Sequence, residues 1–127
     1  MDSIIINKSD NISTTIGEFS YNYRGHTFVK HPWHIGVLIF SDMIQYLFDL
    51  HNINSVSLSI EDTSSETIYR LNYKGGEFNI LNMIENLSNA ERSTLARIWI
   101  RLVNSHDLVA SHCYKDGENE IKIIRFF

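Results

Sequence analysis

Hydrophobic residues recur along this chain in two periods, and the switches between them mark out its elements. The helical period is clearest between Ser88 and Asn104. Ser88 and Glu91 have capping-box spacing, each side chain able to bond the other's free backbone N–H. Leu95, Ile98, Trp99, Leu102 and Val103 follow at helical intervals. Ala96 and Ile100 widen the apolar arc to about 200°, leaving Ser93, Arg97, Arg101 and Asn104 as a narrow polar strip. A helix of this kind is buried scaffold rather than a binding face. A second amphipathic helix is predicted from Ser41, an N-cap followed by Asp42 in the first turn, through Met43, Ile44, Leu47 and Phe48 to about Asn52. The run Ile35 to Phe40 before it is apolar throughout and fits either a buried strand or the first turns of a helix. Asn79 is placed to cap a short helical piece from Ile80 to Leu87.

The two-residue period predicts the strands. Ile4-Ile5-Ile6 is a short β-branched run closed by the turn composition Lys8-Ser9-Asp10-Asn11. Glu18 to Tyr23 alternates, with Phe19, Tyr21 and Tyr23 on one face, and Arg24-Gly25-His26 reads as a turn into a return arm over Thr27 to Lys30. Pro32 ends that arm, since proline cannot donate to a central ladder. Asn54 to Ile60 alternates with Val56, Leu58 and Ile60 inward. The polar loop Glu61 to Glu66 then leads to a strand through Ile68, Tyr69, Leu71 and Tyr73, ended by Gly75-Gly76. Leu108 to Tyr114 and Glu120 to Phe127 form a last hairpin around Asp116-Gly117, its second arm apolar enough to lie inside the sheet. The order predicts one α+β domain over residues 1–127, mainly an antiparallel sheet built from hairpins with two main helices packed on it.

Composition narrows the function. The chain has 127 residues, a single proline, six glycines and a net charge of −4, with no linker or repeat. Such a charge disfavours nucleic acid and anionic membranes as partners. A single cysteine, Cys113, excludes an internal disulfide and fits a reducing, cytoplasmic location. No apolar run approaches the ~20 residues that span a bilayer, and the start lacks a basic signal-peptide region.

Charge is also unevenly distributed. Between Lys30 and Arg70 there is no Lys or Arg, while Asp42, Asp49, Glu61, Asp62 and Glu66 all fall there. Solubility accounts for such a balance in the plainest way; an acidic surface made for a basic partner is the sharper reading. Complementary charge would speed encounter, and a few desolvated anchors, Trp33 or Tyr69, would supply affinity.

Motifs for chemistry are sparse. His26, His31 and His34 lie within nine residues and could hold a zinc ion with one open position, but the spacing matches no established ligand motif and no carboxylate supports it. His112 and Cys113 are adjacent in a strand, so their side chains point to opposite faces and cannot form a base–nucleophile pair. Cys113 is expected to be a small buried apolar residue. Arg24 to His31 has part of the sheet motif of RNA-recognition domains, with histidines where stacking rings belong. Lys74-Gly75-Gly76 is too short for a phosphate loop. No cofactor is implied.

In size, acidity and single-domain build the chain resembles the small immunity proteins of bacterial toxin–immunity pairs, such as those of contact-dependent growth inhibition. The resemblance carries no motif, so it assigns no residues. It implies one cognate toxin domain, often a basic nuclease, neutralised in the cytoplasm by one-to-one binding. Two other readings stay open: a metal-dependent hydrolase or nuclease using His26, His31 and His34, and a homodimeric module that pairs an exposed edge strand.

Overall fold

A computed structural model describes residues 2–26, 34–50, 52–84 and 108–126. Among these residues the elements run β1 (Asp2–Asn7), α1 (Ile12–His26), α2 (His34–Leu50), β2 (Ser55–Asp62), β3 (Glu66–Lys74), β4 (Leu108–Lys115) and β5 (Glu118–Phe126), with a helical segment at 80–84 after β3. The strands form one five-stranded sheet in the order β1-β2-β3-β5-β4, antiparallel throughout. This is the α+β architecture the pattern predicts. The helix predicted over Ser88 to Asn104 lies outside the described residues.

The register sorts the side chains cleanly. Ile4 and Ile6, Val56, Leu58 and Ile60, Tyr69, Leu71 and Tyr73, and Ile121 and Ile123 share one face of the sheet. Ile12 and Ile16 of α1 and Ile39, Phe40, Met43, Ile44, Leu47 and Phe48 of α2 join them in a single buried cluster. Both helices therefore cover this inner face. Among the described residues no helix is long and apolar enough to cross a membrane.

Two predicted elements are corrected. Residues 17–26 are the second half of α1, not a strand and turn. Asn11 caps this helix, its Oδ1 accepting the Thr14 N–H at 3.0 Å. Ile12, Ile16 and Phe19 then fall at i, i+4 and i+7 and pack into the core. The aromatic alternation at 19, 21 and 23 matched a strand by coincidence, and helical burial prevailed. Ser41 is not an N-cap: α2 starts at His34, Ile35 to Phe40 are its first turns, and Ser41 sits buried inside it.

The other predicted strands stand where the pattern put them. Glu61 and Asp62 are the last residues of β2, so the loop to Glu66 is shorter than expected. Asn79 caps the helical segment at 80–84, its Oδ1 accepting the Leu81 N–H. Asp116 and Gly117 make the β4–β5 turn with both φ angles positive, +52° and +79°. That is the form whose twist matches the flanking strands.

Candidate interaction surface

The acids singled out by sequence fall into two groups. Asp42 and Asp49, seven apart on α2, share a solvent-facing stripe with Gln45, whose Nε2 donates to Asp49 Oδ1 at 2.9 Å. Partial burial raises the Asp42 carboxyl above the usual aspartate range, and its carboxylate has no partner among the described residues. Glu61, Asp62 and Glu66 gather instead at the β2–β3 hairpin. Glu61 accepts from Arg70 Nη1 at 3.0 Å, and Asp62 Oδ1 accepts the Thr67 hydroxyl at 2.8 Å. The Glu66 carboxylate is unpartnered among the described residues. By register, Glu61 and Glu66 rise from the outer face of the sheet, opposite the face that α2 covers. The stretch without Lys or Arg thus supplies two separate acidic groups.

Of the two aromatic candidates, Trp33 lies outside the described residues. Tyr69 faces inward and is half-buried, its ring 5.5 Å from that of Phe40. The exposed apolar side chains near the hairpin acids are others. On the outer face one cross-strand row runs Glu61, Ile68, Ile124, Val109, and Phe126 stands opposite Glu66 in the next. Ile68 is buried there, while Val109 and Phe126 are 52% and 45% exposed. Sequence reading missed this corner because an apolar β5 looks the same whether one face or both are covered.

Further along the outer face lies a shallow depression of about 380 Å³, lined by Asn72, Cys113, Lys115, Asp116, Glu118 and Glu120. Cys113 is exposed there, not buried as expected, because β4 is an edge strand and its odd-numbered residues face away from the helices. His112 points the other way, as the strand geometry requires, so the two form no catalytic pair.

His112 belongs instead to a polar knot on the inner face, around Asn119, which is fully buried. Asn119 Oδ1 accepts the Phe78 N–H at 3.0 Å, and its Nδ2 donates to Gly76 O at 3.0 Å and Tyr73 O at 3.4 Å. The amide is therefore oriented, and His112 Nε2, 2.9 Å from the same Oδ1, must carry a proton and donate. Tyr73 donates its hydroxyl to Phe78 O, and Tyr114 donates to Gly75 O at 2.9 Å. Burial pushes the Tyr73 phenol up to about 12, opposed by a smaller lowering from the backbone hydrogen bond at Ile80. The knot fastens the chain after β3 to the β4–β5 hairpin. It satisfies buried groups and presents no free nucleophile.

His26 ends α1 and His34 begins α2, while His31 lies outside the described residues. Among the described residues no three His, Cys, Asp or Glu side chains are grouped to hold a metal ion. No protein-family model matches the chain, and no curated protein is significantly similar to it.

Proposed function

We propose that the protein is a non-enzymatic binder that neutralises a basic toxin domain, as the immunity proteins it resembles do. The observation that carries this reading is the state of the acids. Asp42, Asp49 and Glu66 have no cationic partner among the described residues, and Asp42 is already partly desolvated without one. A carboxylate in that condition gains more from an incoming Lys or Arg than a fully solvated one does. The hairpin group adds an apolar anchor, since Phe126 stands exposed directly opposite Glu66, and Val109 is exposed at the far end of the row that begins at Glu61. A buried apolar contact ringed by charge is how a small interface reaches high affinity.

Co-expression with the protein encoded by the adjacent reading frame tests this. The expected result is that the neighbour arrests growth alone, that this chain restores growth, and that the two co-purify. A neighbour that is harmless, or that kills equally with this chain present, refutes the reading.

A further inference from the structure

We draw no further inference here: the strongest candidate, the apolar corner of the sheet's outer face where Val109 and Phe126 stand exposed, belongs to the interaction surface already described, and nothing among the described residues shows what covers it.

Discussion

Replacing Asn119 with alanine should cost about 3–4 kcal/mol of stability. Asn119→Ala removes three good hydrogen bonds and one long one from a fully buried position. The Phe78 N–H suffers most, because it is half-buried and loses its acceptor, a loss of about 1–3 kcal/mol. His112 is half-buried and Gly76 exposed, so water partly replaces the amide for them, at about 0.5–1 kcal/mol each. Lost packing around the absent amide adds to this. With a urea slope near 1.5–2 kcal/mol per M, the unfolding midpoint should fall by about 2 M. Asn72→Ala is the control, since its 3.3 Å bond to Glu120 lies on the outer face where water substitutes, and its midpoint should move by less than about 0.3 M. An Asn119→Ala midpoint within about 0.5 M of wild type would refute the claim that this amide organises the inner face.

Three further outcomes follow from single groups. Tyr73 stays neutral in the folded chain up to about pH 12 while an unfolded tyrosine ionises near 10. Stability should therefore fall between those values, and Tyr73→Phe should remove that part of the fall in alkaline unfolding curves. Asp42 has a raised folded pKa, so its ionised form destabilises the fold at neutral pH. Asp42→Asn should raise the melting temperature at pH 7, with the gain vanishing below about pH 3, where the unfolded carboxyl is also protonated. Cys113 is exposed, so an aromatic disulfide reagent should titrate it fully in the native protein, and a need for denaturant would contradict its placement.

The fold was legible where pattern and burial agree. β2 and β3 alternate because one face meets the helices, and Asp116-Gly117 announces its hairpin through the turn it must make. α1 misled because Phe19, Tyr21 and Tyr23 satisfy a two-residue period, while the decisive signal was Asn11 followed by Ile12, Ile16 and Phe19. The start of α2 was ambiguous because a helix buried over much of its surface has no polar strip to reveal its period. Strand order is a third case: nothing local says that β5 inserts between β3 and β4. That order decides that β1 and β4 are the edge strands and that Cys113 is exposed. The acidic residues were found from composition, but which of the hairpin acids reach the outer face depends on register across three strands: Glu61 and Glu66 do, and Asp62 does not.

We propose that the unpaired carboxylates of α2 and the β2–β3 hairpin draw in a basic partner. The association rate with the protein encoded by the adjacent reading frame, measured against ionic strength, tests this most directly. Wild type should associate about tenfold or more slower at 500 mM than at 50 mM salt. Asp42→Lys with Asp49→Lys, or Glu66→Lys, should be slow already at low salt and less salt-dependent. Rates that are flat with salt, and equal in the wild type and the charge-reversed variants, would contradict it.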